Sequence, residues 1–177
     1  MFFERHRPAP TLRPKGIRER ATMTDLISIL EEPQGNVYAA LLSFALQRNT
    51  LFSLVWRDQL DFAESAVSVG EALQPCLLKQ RRTHQWPGTE LLGHLATVRL
   101  YGMSSYAVSL LTEAQGLYAW IAPERPEDLA FYTTEGVPWL ASIAHEQEAF
   151  IYPHAVDPHE LTEHVKGLRL QRPQPAG

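Results

Sequence analysis

The densest grouping of chemistry-bearing residues in the chain is Ala144-His145-Glu146-Gln147-Glu148. A histidine beside carboxylates is the residue set of a general base and its orienting partner. His145 and Glu146 are therefore the candidate catalytic residues. The same side chains are also metal-ligand types. His154, His159 and His164 follow at intervals of five residues, with Asp157, Glu160 and Glu163 among them. His159 and Glu163 lie four apart, on one helical face, and with His145 they make an alternative metal set. Two features oppose it. An interval of five matches no helical face, and Ala149 stands where a His-Glu-x-x-His zinc motif needs its second histidine. We expect no metal and no other cofactor. The ordinary alternative to a site is a polar turn followed by a solvated helix.

Trp86-Pro87-Gly88-Thr89 is a turn that can offer a ligand an aromatic platform and a free backbone amide. Trp86, Gly88 and Thr89 are thus candidate binding residues. The competing reading is a loop anchored in the core by its tryptophan. Lys79, Arg81 and Arg82 form a basic cluster that can hold an anion, but a helix C-terminus favours positive charge in any case. Glu127 and Asp128 are expected to hold a turn through side-chain to backbone hydrogen bonds. The lone cysteine, Cys76, cannot form an internal disulfide, and we expect it to be a small core residue. There is no Gly-rich phosphate loop and no G-x-S-x-G elbow.

The elements that must position these residues can be read from apolar spacing. Residues 1–22 hold three prolines and no periodicity, and read as coil. Thr24 is expected to cap a helix reaching Glu32, and Asn36 a second from Val37 to Arg48, ended by a left-handed Asn49. Thr50 to Arg57 reads as a strand apolar on both faces, hence central. Asp61, with Glu64 three residues on, should start a helix that Pro75 breaks near Gln74. Lys79 to His84 reads as polar connection. His94 to Tyr101 alternates as a strand. Ser104 or Ser105 should cap a helix whose stripe runs through Ile121. Leu129 to Thr133 and Val137 to Ala144 read as a hairpin turning at Gly136. A short strand at Ala149 to Tyr152 follows, and Asp157-Pro158-His159-Glu160 opens a last helix. This order predicts an α+β fold. One mixed or antiparallel sheet of about five strands, with a C-terminal hairpin, should be covered by helices.

The chain of 177 residues fits one domain, over residues 23–170, with a tail at 171–177. Its 45% hydrophobic content suits a packed core. No apolar run is long enough to span a bilayer and none has the form of a secretory signal, so a cytoplasmic location is expected. Charge is uneven. Residues 1–22 hold six basic and two acidic residues, a basic extension of net +4, while the remainder holds ten basic and eighteen acidic, a net of −8. Met23 follows the extension directly and is a second candidate start. The acidic body repels phosphate backbones, which argues against nucleic acid as its partner.

Taken together, Trp86-Pro87-Gly88-Thr89, Pro126-Glu127-Asp128-Leu129 with Phe131, Gly136, Trp139-Leu140 and His145-Glu146 resemble the pattern of a group of small uncharacterised bacterial proteins. The resemblance spans roughly residues 50–150. No activity is established for that group, so it carries over no catalytic residue. In size, acidity and its Trp-rich hairpin the chain is also similar to immunity proteins of bacterial toxin systems. That likeness implies a non-enzymatic protein-binding module whose acidic surface meets a basic protein partner. A second copy of the chain is a further partner, through a hairpin edge or an exposed helix. The alternative class is a small metal-dependent or His/Glu-based enzyme, or ligand binder, built on His145 and Glu146.

Overall fold

The computed structural model describes residues 26–171; the extension expected over residues 1–22 and positions 172–177 of the tail lie outside the described residues. In chain order the first elements are β1 (Ile27–Ser28), α1 (Gly35–Gln47), β2 (Leu51–Arg57), α2 (Glu64–Ala72), β3 (Leu77–Thr83), β4 (Gln85–Trp86), β5 (Thr89–Glu90) and β6 (Ala96–Gly102). Then come α3 (Ser105–Thr112), β7 (Glu127–Tyr132), β8 (Pro138–Ile143), β9 (Glu148–Ile151) and α4 (Pro158–His164). Seven strands form one sheet in the order β1-β9-β8-β7-β2-β6-β3, and every pairing is antiparallel. The chain is α+β, and its sheet is wider than the five strands expected.

The five strands legible from alternation are the interior five. The two missed strands, β1 and β3, are the edges. Ile27 pairs with Ile151, and Ile29 bridges Leu170. This replaces the described part of the helix expected as far as Glu32; its expected cap, Thr24, lies outside the described residues. Ile27 and Ile29 are buried while Leu30 is exposed, a two-residue period that so short a run cannot separate from a helical one. β3 is polar and mostly exposed along its length. It pairs with β6 through its backbone and shows no apolar alternation to read.

β2 lies between β7 and β6. Alternation puts Phe52, Leu54 and Trp56 on one face and Ser53, Val55 and Arg57 on the other. The helices cover the first face. Tyr38, Leu41 and Leu42 of α1, Leu111 of α3 and Leu161 of α4 pack there against Phe52, Phe131 and Trp139. Gly70 of α2 lies against Trp56 and Arg99, where an added Cβ would sit 3.3 Å and 3.2 Å from their side chains. Two polar side chains of this core pair with one another. Trp120 Nε1 donates to Tyr38 Oη at 2.8 Å, and Tyr38 Oη donates to the Leu111 carbonyl at 3.1 Å.

Several helix boundaries differ from expectation. Gln34, not Asn36, precedes α1, and its side chain makes no capping bond. α2 starts at Glu64 after Ala63, so Asp61 is no cap. α3 is capped by Ser104, whose Oγ accepts from Ala107 N, but it ends at Thr112 instead of reaching Ile121. Beyond it Gln115 turns left-handed with φ 61°. Its carbonyl then accepts from Gly35 N, and Leu117 N donates to the Pro33 carbonyl. Backbone pairing across the chain outweighs the helical apolar stripe. Elsewhere the reading matches the structure: Asn49 and Gly136 have φ of 50° and 80°, and the Asp157 carboxylate accepts from His159 N.

Among the described residues no helix packs on the second sheet face, where the small β4–β5 hairpin lies. Trp86 is buried against Val55, Ala96 and Val98, with Leu91 beside it. Gly88 has φ +86°, and an added Cβ would lie 3.1 Å from Ile143 Cγ1.

Candidate functional site

Arg57 ends β2 on the second face. The register sets Val55 opposite Glu127, with an irregularity before Ser53 rejoins at Ala130. That bulge holds Asp128 at φ 54°, in the left-handed region that aspartate tolerates better than most residues. Glu127 and Asp128 are brought to Arg57 in this way. Arg57 Nε lies 2.7 Å from Glu127 Oε2, and Arg57 Nη2 lies 3.9 Å from Asp128 Oδ2. Neither Arg57 Nε nor Glu127 Oε2 makes a well-angled hydrogen bond, so charge holds that contact. Both carboxylates are buried, at 3% and 1% exposure.

Asp128 is the hub. Its Oδ2 accepts from Trp86 Nε1 and its Oδ1 from Ala144 N, both at 2.9 Å. One carboxylate thus ties the β4–β5 hairpin to the end of β8. The Arg57 guanidinium lies 5.7 Å from the Trp86 ring centroid, within cation–π range. Burial pushes the carboxyl of Asp128 upward, opposed by the Ala144 and Trp86 donors and by Arg57. Burial also raises Glu127; Arg57 opposes this, and the neighbouring Asp128 charge adds to it.

The structure places the expected site residues as follows. His145 occupies a single turn, Ala144–Glu146, at the rim of this cluster, and its side chain is 38% exposed. Its Nδ1 is 3.3 Å from Arg57 Nη2. Arg57 has only protons to offer, so a hydrogen bond there requires an unprotonated Nδ1 as its acceptor; Nε2 lies 3.6 Å from Glu146 Oε1. A general base acting through Nδ1 would have to displace the guanidinium. His159 and Glu163 face each other on α4 at 3.8 Å, both largely exposed. They do not join His145 in a metal site: among the described residues no three metal-ligating side chains converge. Trp86 is 4% exposed, so its ring faces the sheet and not a ligand. Thr89 pairs with Trp86 across the hairpin, and Gly88 makes its turn over Ile143. Cys76 is half-buried at the edge of the core, 3.6 Å from Ser104 Oγ.

Glu127 and Asp128 do more than hold a turn. They and Arg57 form the buried charge cluster that sequence reasoning missed. The available signal was charge adjoining apolar strand runs: Arg57 closes Leu51–Trp56, and Glu127-Asp128 opens Leu129–Phe131. Three clefts among the described residues, of about 220, 420 and 650 Å³, lie elsewhere and include none of these residues. Among the described residues no helix is long and apolar enough to cross a membrane. The chain matches no protein-family model, and no curated protein and no solved structure matches it.

Proposed function

We propose that the protein is a non-enzymatic protein-binding module of the bacterial cytoplasm, in the manner of an immunity protein, and that it binds through the uncovered half of its second sheet face. The observation that carries this reading is the unequal cover of the sheet. Among the described residues helices pack on one face, while the other carries the hairpin at the Arg57 end. Toward the opposite end of β2, Leu51, Leu100, Tyr132 and Phe150 are half-buried, and among the described residues no helix packs on them. Contiguous apolar surface on a sheet is a protein-docking feature. The buried Arg57–Asp128–Trp86 ties fix where the cover stops, and so define the face. The net −8 of residues 23–177 steers in a partner that is basic outside the apolar contact.

Affinity capture from the cells that make the protein tests this reading, using the wild type beside Leu100→Gln and Phe150→Gln. A stoichiometric protein held by the wild type and lost by both variants, at unchanged melting temperature, is the expected result. No stoichiometric partner, or capture indifferent to both substitutions, removes the reading. Size-exclusion chromatography reports whether the captured partner is a second copy.

A further inference from the structure

We propose that β3 is a docking edge for an extended acidic segment of another protein, which adds to the sheet as an eighth strand. The inference does not rest on the apolar face. Among the described residues β3 ends the sheet order and pairs only with β6. It runs for seven residues, against two for β1 at the opposite edge, where Ile29 is further covered by Leu170. β3 is therefore the long edge whose outer backbone donors and acceptors are available for strand addition.

Charge selects the occupant. Lys79 lies opposite Leu100 and Arg81 opposite Val98, so both cations stand on one face, two residues apart. Both are exposed, and neither forms an ion pair among the described residues. Arg82, on the other face, is already paired with Asp58. Leu78, 61% exposed, continues the Lys79–Arg81 face beside Gly102. The edge thus fits a strand with two carboxylates at alternate positions and an apolar residue next to them. A second copy does not fit. Antiparallel self-pairing centred on Gln80 sets Lys79 against Arg81 twice, and directly opposed like charges are destabilising. The overall acidity does not cancel this preference, because at physiological salt charges beyond about 8 Å are screened and the nearby cations dominate.

The test is a titration of the ¹⁵N-labelled full chain with a blocked heptapeptide, Thr-Glu-Val-Glu-Val-Leu-Thr, to about 1 mM, the weak end of specific recognition. Shift changes and slowed amide exchange confined to residues 77–83 are expected. A peptide with glutamine for both glutamates should bind about fivefold more weakly, as should the acidic peptide with the Lys79→Glu/Arg81→Glu variant. That variant should instead prefer a lysine peptide, and its exposed positions leave folding intact by circular dichroism. No protection of β3, or equal binding of the glutamate and glutamine peptides, overturns the proposal and leaves the cations as guards against aggregation. Phe150→Gln, on β9 at the far side of the sheet, should bind the acidic peptide like wild type, so this edge and the apolar face fail or stand separately.

Discussion

Replacing Asp128 by alanine should be among the most damaging single changes to the second face, and its cost can be built from the contacts. Two buried donors, Trp86 Nε1 and Ala144 N, lose their acceptor. A buried donor left unpaired costs about 1–3 kcal/mol. Alanine at φ 54° adds about 1 kcal/mol that aspartate bears more easily. Part of this is offset, because burial already disfavours the Asp128 charge. The net expectation is a loss of about 2–5 kcal/mol in urea unfolding. Asp128→Asn keeps one acceptor oxygen and a residue at ease in the left-handed region, so about 1–2 kcal/mol is expected. The pH dependence separates the two contributions. Raised folded-state values for Asp128 and Glu127 mean the native protein holds protons that the unfolded chain has released. Stability therefore falls as pH climbs from the ordinary carboxylate range through the raised values, and levels off above them. Asp128→Asn removes one of the two groups and should flatten that fall. An Asp128→Ala variant within about 1 kcal/mol of wild type, or an asparagine variant as unstable as the alanine one, would refute the hub assignment.

Arg57→Ala leaves two buried carboxylates without their cation and should cost about 3–5 kcal/mol near neutral pH; denaturation at about pH 5 should recover part of it as they take up protons. His145→Ala removes a partly exposed side chain at the rim and should change stability by less than about 1 kcal/mol, so a larger loss by calorimetry would mean the ring is more deeply embedded. Gly88→Ala combines φ +86° with an approach of 3.1 Å to Ile143 and should cost about 1–3 kcal/mol. An Ile143→Val background removes the Cδ1 contact at 3.3 Å but keeps Cγ1 and the backbone strain, so a double-mutant cycle should show partial recovery only.

The interior of the fold was legible because burial on two faces leaves a record in residue type. β2 could be placed centrally from Phe52, Leu54 and Val55 alone, and the β7–β8 hairpin from Gly136 between two apolar runs. The edges left no such record. β3 is held by backbone pairing to β6, which any side chain permits, so Lys79 to Arg82 read as connection. β1 is too short for one period to win over another. The length of α3 was decided by bonds from residues 33–35 to residues 115–117, which no local window contains.

The candidate site was legible in its parts and hidden in its assembly. His145 was found because histidine beside carboxylate is a local pattern. Arg57, which changes what that histidine can do, lies 88 residues away in sequence. Only the antiparallel register of β2 on β7, with its bulge, carries Glu127 and Asp128 to the arginine. The same register explains why Trp86 is an anchor and not a platform: its indole nitrogen has a buried carboxylate to reach, and that bond draws the ring onto Val55 and Val98. A tryptophan satisfied in this way leaves the hairpin covering the Arg57 end of the sheet, with Leu51 and Tyr132 half-buried at the other. The polar cluster thus governs where the apolar face begins, and loosening Asp128 should shift partner binding even though Asp128 itself is sealed from any partner.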